Sequence, residues 1–268
     1  ASLSCVTDFP LRMVGRAFVI VEDGAEVTLL NSVSGADGVG YQTSAVVEMV
    51  IGNDAKVSYI RNNSAGNAAL SLHIMGVRLG ARSELNIFNL SLGGKVSRHE
   101  FRVTFAGEDA RAAIRGVGLL RGEQHSDVTL MVDHTAPGCE SRELFRHVVD
   151  DSATGVFQGK IMVKQAAQKT DGQMASNAIL LSDDATMNNK PELEIFADDV
   201  VCAHGATCGA LDDDLLFYLQ ARGLPRKDAE ALMIQAFCGE AIETVENDGL
   251  REALNGVVET WLHTRAGA

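Results

Sequence analysis

Three candidate metal ligands, Cys202, His204 and Cys208, lie within seven positions of one another. They follow a turn at Asp198-Asp199, in a run that has the character of a β-strand. Because alternate side chains of a strand point to the same side, we expect Cys202 and His204 to lie together, with Cys208 as a third candidate. Thiolate and imidazole suit iron and zinc. Three donors do not close a tetrahedral site, so a metal here would need a ligand from elsewhere.

Spacing alone does not make these residues a metal site. A buried structural cysteine beside a histidine that is hydrogen-bonded to a turn is the commoner arrangement for Cys202 and His204. Cys208 is expected to be structural. His134 and Cys139, in the run DHTAPGCES, are interpreted as loop residues. The remaining histidines before residue 200 have no convincing partner by spacing: His73, His99, His125 and His147.

Residues 17–209 repeat one pattern, in which an alternating strand, a turn rich in Gly, Asp or Asn, and an alanine are followed by another strand. The turn alanines are 26 to 43 residues apart, at Ala25, Ala55, Ala81, Ala110, Ala153 and Ala185. Strand-rich repeats of this length indicate a solenoid of stacked coils rather than a doubly wound α/β sheet, and a β-sandwich is the competitor. We predict a mainly β fold with a parallel β-helix over residues 1–209. The widest gap contains HTAPGCESRELF, interpreted as a loop extruded from one coil.

Residues 210–268 change to a helical pattern. Three acidic residues at 212–214 precede an apolar helix, Pro225 suits the start of a second, and a third follows Asn247-Asp248-Gly249. This third helix has an apolar stripe that could pack on the solenoid or dock another protein. The stripe consists of Leu250, Leu254, Val257, Val258 and Trp261. We expect the helices to cover one end of the solenoid.

Composition limits the classes of partner. The 268 residues have a net charge of −13, which argues against nucleic acid or an anionic membrane. No apolar run approaches the ~20 residues of a membrane span, and no signal-peptide core is present at the start. Five widely spaced cysteines suit a reducing compartment, so we expect a cytoplasmic protein. The chain contains no P-loop, G-x-S-x-G or HExxH sequence, so we expect it not to hydrolyse ATP itself.

The run from Lys169 to Leu224, which includes ILLSDDATMNNKPELEIFADDVVCAHGATCGALDDD, resembles the SufB/SufD family of iron–sulfur cluster assembly proteins. The resemblance extends from about Val21 to about Phe237. Where SufB-type members have a His-Glu-Ala signature, this chain has Cys-Ala-His-Gly-Ala-Thr. A cysteine of SufB members falls near Asn177, where this chain has none. Both differences favour the SufD branch.

The resemblance implies a right-handed β-helix and a non-catalytic scaffold, so we expect no enzyme activity. The histidine of SufD that matches His204 is implicated in forming a nascent cluster with a SufB cysteine. Cys202 aligns with a cysteine of SufD relatives and is the second expected ligand of the cluster or metal. The expected cofactor is a transient iron–sulfur cluster shared with the partner, because this chain offers too few of the four donors that such a site needs. The isolated chain should hold no stable cluster.

The resemblance also implies two protein partners. The C-terminal helices of the family engage the SufC ATPase, and SufB joins SufD through a sheet that extends across both solenoids. An isolated chain could pair in the same way with a second copy of itself. Family members normally have a helical segment before the solenoid, so we expect this chain, which begins almost directly in strands, to be part of a longer protein.

Two other functions compete. A β-helix polysaccharide lyase or hydrolase would use turn aspartates, although the single Trp and three Tyr argue against a sugar site. A zinc hydrolase would use Cys202, His204 and Cys208, but the sequence shows no evident general base for it. Acidic pairs also stabilise turns. The pairs in question are Asp150-Asp151, Asp183-Asp184 and Asp198-Asp199.

Overall fold

The chain winds into a β-solenoid that is followed by three helices. The computed structural model describes residues 2–5 and 11–266. The strands are β1 Ser2–Cys5, β2 Arg12–Val21, β3 Glu26–Gly35, β4 Gln42–Ile51, β5 Lys56–Ser64, β6 Leu70–Leu79, β7 Glu84–Ser91, β8 Val96–Phe105, β9 Arg111–Leu120, β10 His125–His134, β11 Glu140–Val149, β12 Thr154–Val163, β13 Asp171–Leu180, β14 Thr186–Ile195 and β15 Val201–Gly209. The helices are α1 Asp213–Ala221, α2 Arg226–Ile242 and α3 Asp248–Ala266.

Two parallel sheets form the walls of the solenoid. The odd-numbered strands make an eight-stranded sheet and the even-numbered strands a seven-stranded sheet, so each coil adds one strand to each. Neighbouring strands are parallel and in register, and residues about one coil apart in sequence, such as Glu26 and Lys56, lie side by side. The predicted parallel β-helix is therefore confirmed. The β-sandwich is excluded, because its sheets are antiparallel.

Period-two alternation builds the interior of the solenoid. In β10 every second residue is buried and the residues between them are half-buried. Inward residues of successive coils stack into columns, and burial of each aliphatic side chain contributes about 2 kcal/mol. One such column crosses five coils with each member at most 4% exposed: Met49, Val77, Val103, Val132 and Ile161.

Tight turns end in a small buried residue. Asp54 and Asp109 have φ values of 57°, in the left-handed region that aspartate tolerates better than most residues. The alanines that follow them, Ala55 and Ala110, are 0% exposed because each fills the corner where the next strand begins. At these two positions the alanine is a packing requirement of the corner, whereas Ser83, and not Ala81, takes the corner before β7.

The interpretation of HTAPGCESRELF as an extruded loop is wrong. A turn of ordinary length joins β10 to β11. Cys139 takes the corner position that Ala110 has one coil earlier, and its Sγ donates to the carbonyl oxygen of Gly107 at 3.3 Å. The alanine spacing misleads for two reasons: a cysteine replaces one alanine, and Ala153 precedes a strand of the other sheet.

The helices α2 and α3 lie along the flank of the solenoid, so the expectation that the helical segment covers one end is wrong. α2 and α3 pack on outward-facing residues of the eight-stranded sheet, including Phe88, Leu90 and Val117. In α3 the predicted stripe faces this sheet, with Leu254, Val258 and Trp261 buried and Leu250 and Val257 partly buried. Of the two interpretations of the stripe, packing on the solenoid is the one that the structure supports.

The first helix exposes much of its apolar surface. Asp212 caps it as the pattern predicts, accepting a hydrogen bond from the Leu215 amide at 2.9 Å. Leu216 is buried, whereas Phe217 is 73% exposed and Tyr218 is 52% exposed. None of the helices in the described residues is long and apolar enough to span a membrane.

Candidate functional site

Cys202, His204 and Cys208 lie on β15, the last strand of the eight-stranded sheet, whose one strand partner among the described residues is β13. In that pairing His204 stands beside Met174 and Cys208 beside Ala178. Both of these β13 residues are buried in the interior. Because the strands are parallel and in register, the three β15 residues continue the inward-facing row.

No further coil covers this row among the described residues, so the end of the solenoid is open. His204 and Cys208 are exposed although they occupy inward positions, and Cys202 is half-buried against the main core. Earlier coils have histidines in equivalent inward positions that are 0% or 1% exposed. Those histidines are His73, His99, His134 and His147. The open end is what makes His204 accessible.

The other strand of the last coil adds an apolar border to the open end. Met187 and Leu193 lie on inward positions of β14 and are only half-buried, because they too lack a covering coil. Val200, at the corner before β15, is also half-buried against the same core. The end therefore presents a thiol and an imidazole beside partly exposed aliphatic side chains.

The thiol of Cys202 is held in its protonated form. Burial raises its pKa above the ordinary value, and the charge of Asp171 acts in the same direction, while the backbone of Gly172 opposes them. Since the thiolate is the metal ligand, binding of a metal to Cys202 would release a proton and strengthen as the pH rises.

Beneath this end lies a buried carboxyl group, Glu143 on β11, which is 3% exposed. Burial raises its pKa to about 8, although the charge of Arg142 acts against the shift. Glu143 is in register with Met174, which in turn is in register with His204. A largely neutral acid thus lies two strands below the exposed imidazole at pH 7.

The ligand set at the open end is incomplete. Neighbouring inward residues of a strand are about 7 Å apart, so Cys208 lies about 13 Å along the strand from His204. Within the part of the chain that the structure describes, no three His, Cys, Asp or Glu side chains are grouped to hold a metal ion. The zinc-hydrolase alternative therefore has no convergent metal site among these described residues.

The acidic pairs are parts of turns in the structure. The Asp151 carboxylate accepts a hydrogen bond from the Gly122 amide at 2.8 Å, and Asp150 pairs with Arg265. The Asp199 carboxylate pairs with Lys169 in the neighbouring coil. These contacts tie one coil to the next or to α3, as expected for acidic residues at turns.

Sequence spacing missed the partners of the buried histidines. His73 Nε2 lies 3.2 Å from the Tyr59 hydroxyl, and His134 Nε2 lies 3.0 Å from the Ser141 hydroxyl. Both partners lie on the sheet opposite the histidine, so the contacts cross the interior. His134 and Cys139 do not form a site, because His134 faces the interior and Cys139 occupies a corner.

Comparison with known proteins agrees with this architecture. Residues 8–237 match the family described as SUF system FeS cluster assembly, SufBD core domain. The chain is 34% identical, over 88% of its length, to the iron–sulfur cluster assembly protein SufD of Escherichia coli K12, of which it covers 56%. It is 36% identical to the chloroplastic protein ABCI7 of Arabidopsis thaliana, over 88% of this chain and 50% of that protein.

A third relative is the iron–sulfur cluster assembly SufBD family protein slr0076 of Synechocystis, which is 34% identical over 96% of this chain and 58% of its own length. The chain thus spans about half the length of the curated relatives it matches.

Fold and site together define a parallel β-solenoid protein that presents potential metal ligands at an open end. With the match over residues 8–237, the chain belongs to the SufBD core family of the SUF system of iron–sulfur cluster assembly. The resemblance to SufD that the sequence shows is confirmed by similar proteins of that name from Escherichia coli and Bacillus subtilis.

Proposed function

We propose that this chain is a scaffold subunit of a SUF assembly complex, in which His204 binds the nascent iron–sulfur cluster or its iron at an interface with a SufB-type subunit. One observation carries the proposal: His204 occupies an inward position of the last coil, yet it is exposed because no coil of the described residues covers it. Burying an imidazole in the core would be the default at such a position. Here the ring is left accessible to a second protein.

The incomplete ligand set fits a shared cluster. An iron–sulfur cluster needs about four protein donors, and the open end offers His204 and, after loss of its proton, Cys202. The missing donors would come from the partner subunit. A cluster held partly by each chain can be released when the two chains separate, which suits a protein that assembles its cargo for transfer.

Exposed strand edges provide a way to build that interface. The outer edges of β14 and β15 have no neighbouring strand among the described residues, so their backbone amides and carbonyls can pair with strands of another solenoid. The half-buried Met187 and Leu193 beside them would then become covered. A second copy of this chain can occupy the same edges when the SufB-type subunit is absent.

The second proposed partner is a SufC-type ATPase, which would dock on the helical segment. The apolar face of α3 packs on the solenoid, so the docking surface for the ATPase must lie on another part of the helical segment. α1 exposes Leu215, Phe217 and Tyr218, and α2 adds Leu232, each between 46% and 73% exposed. Nucleotide-driven movement of the ATPase would pull on α1, which begins four residues after β15 ends, and would open the interface near His204.

Reconstitution with SufB-type and SufC-type partners tests this proposal. We expect His204→Ala to leave assembly of the complex intact and to abolish cluster maturation on an apo-ferredoxin acceptor. His125→Ala, which removes a half-buried histidine from the outer face of the other sheet, is the matched control and should mature clusters normally. Unchanged maturation in the His204 variant would count decisively against the proposal.

The same assay compares the two cysteines of β15. Cys202→Ser should slow maturation if its thiolate completes the ligand set, whereas Cys208→Ser should have no effect because that residue lies about 13 Å along the strand from His204. In this role the chain performs no catalytic step of its own, and it works in the reducing environment that its unpaired cysteines require.

A further inference from the structure

A cleft of about 260 Å³ lies on the outer face of the eight-stranded sheet, beneath the segment that joins α2 to α3. Ile60 and Phe88 form an apolar part of its floor, and Ser58 and Asn86 form a polar part. Arg115 on β9 lines the same cleft. A mixed apolar and polar lining of this kind is typical of sites for small ligands.

Arg115 is a half-buried cation without a partner. No ion pair or hydrogen bond of the described residues involves its side chain, and burial lowers the pKa of its guanidinium. Every other described arginine that is buried or half-buried has a polar partner. Those pairs are Arg61 with Asn31, Arg142 with Asp171, Arg146 with Glu240, Arg251 with Asp248, and Arg265 with Asp150.

Partial burial of an unpaired charge is unfavourable, because the group loses hydration and gains nothing in return. Such a group in a cleft is a candidate for ligand binding. A guanidinium presents a planar fork of donors that fits a carboxylate or a phosphate. Glu26 and Glu246 also line this cleft and are exposed. Their negative charges disfavour a doubly charged phosphate more than a singly charged carboxylate.

We propose that this cleft binds a carboxylate group, with Arg115 as its ion-pair partner. The cleft extends from β3 to β9, which are three strand spacings apart, or about 14 Å. A molecule of that length would place its carboxylate on Arg115 and the rest of its chain over Phe88 and Ile60, beside the Ser58 hydroxyl. The carboxylate belongs either to a free small molecule or to the acidic end of a peptide.

Arginine side-chain NMR on the full chain tests the proposal. Succinate, hexanoate and an acetylated tetrapeptide ending in glutamate are titrated at constant ionic strength, and inorganic phosphate serves as the comparison anion. We expect saturable shifts of the Arg115 Nε resonance with at least one carboxylate probe, and binding at least about tenfold weaker in Arg115→Gln. Succinate and hexanoate represent the free source, and preference for the tetrapeptide would identify the peptide source.

Arg78→Gln is the matched control, because Arg78 is exposed on the other sheet and its loss changes the net charge equally. The proposal is overturned if no carboxylate probe saturates, if phosphate binds more tightly than every carboxylate, or if Arg78→Gln weakens binding as much as Arg115→Gln does.

The unfolding temperature, measured with and without ligand, distinguishes a loss of binding from a folding defect of the variant. Without ligand, Arg115→Met should unfold at the same temperature as the wild type or at a higher one, because it removes an unpaired charge. With a saturating carboxylate, only the wild type should gain stability. A lower unfolding temperature of the ligand-free variant would show that Arg115 has a structural partner and would refute the assignment.

Discussion

Glu143 should make the solenoid less stable as the pH rises from 5 to 8. Its pKa is about 8 in the folded protein because of burial, against 4.5 for an ordinary glutamate. Over this range the Glu143 carboxyl has released its proton in the unfolded chain but retains it in the folded chain. The free energy of unfolding therefore decreases as the pH increases. At about 1.4 kcal/mol per pKa unit, the loss between pH 5 and pH 8 is roughly 3 to 4 kcal/mol.

The assay is urea denaturation of the wild type and of Glu143→Gln at intervals between these pH values. The variant cannot titrate at this position, so the difference between the two free energies of unfolding should change by that amount. The other buried groups titrate alike in both proteins and cancel. Glu140→Gln is the control, since Glu140 is an outward residue of the same strand that pairs with Arg111 at 3.7 Å. Parallel pH dependences of the wild type and Glu143→Gln would show that the pKa of Glu143 is not raised by burial.

Three further predictions concern other parts of the molecule. Burial lowers the pKa of His147 to about 4, so the free energy of unfolding of the wild type should fall by about 3 kcal/mol between pH 6.5 and pH 4. His147→Gln should not show this part of the decrease in urea denaturation, and equal decreases in both proteins would contradict the prediction. Cys139→Ala should lower the free energy of unfolding by about 1 kcal/mol or less, because alanine fills the same corner in other coils. Cys139→Leu should lower it by about 1 to 3 kcal/mol, because the larger side chain overpacks the corner. Thermal unfolding that ranks the two variants in the opposite order would show that the corner has room for a larger side chain. Phe217→Glu should change the free energy of unfolding by no more than about 0.5 kcal/mol, because the side chain is exposed. The same variant should no longer co-purify with a SufC-type ATPase, and retained co-purification would exclude α1 as the docking surface.

The sequence was sufficient to predict the coils, because the strands alternate with period two and several corners hold a small residue. It also predicted the start of α1, since Asp212 caps the helix through a local contact. It failed where a corner residue departed from alanine. At Cys139 the same steric requirement is met by a different side chain, and the pattern of alanines gave no sign of it.

Long-range features of the site could not be predicted from the sequence. The placement of α2 and α3 depends on outward residues of strands far away in the chain, such as Phe88 and Val117. Alternation puts His204 on an inward position, but its exposure depends on whether another coil follows. The lack of a partner for Arg115 is likewise a property of the three-dimensional surroundings, which no local pattern encodes.

In the proposed function the His204 imidazole binds a cluster that another subunit completes. Pulsed electron paramagnetic resonance of the reconstituted complex, with ¹⁵N-histidine only in this chain and the cluster reduced, measures that bond directly. We expect a strong ¹⁵N coupling in the wild type and in His125→Ala, and its loss in His204→Ala. Absence of the coupling in the wild type, or its persistence in His204→Ala, would show that His204 is not a cluster ligand.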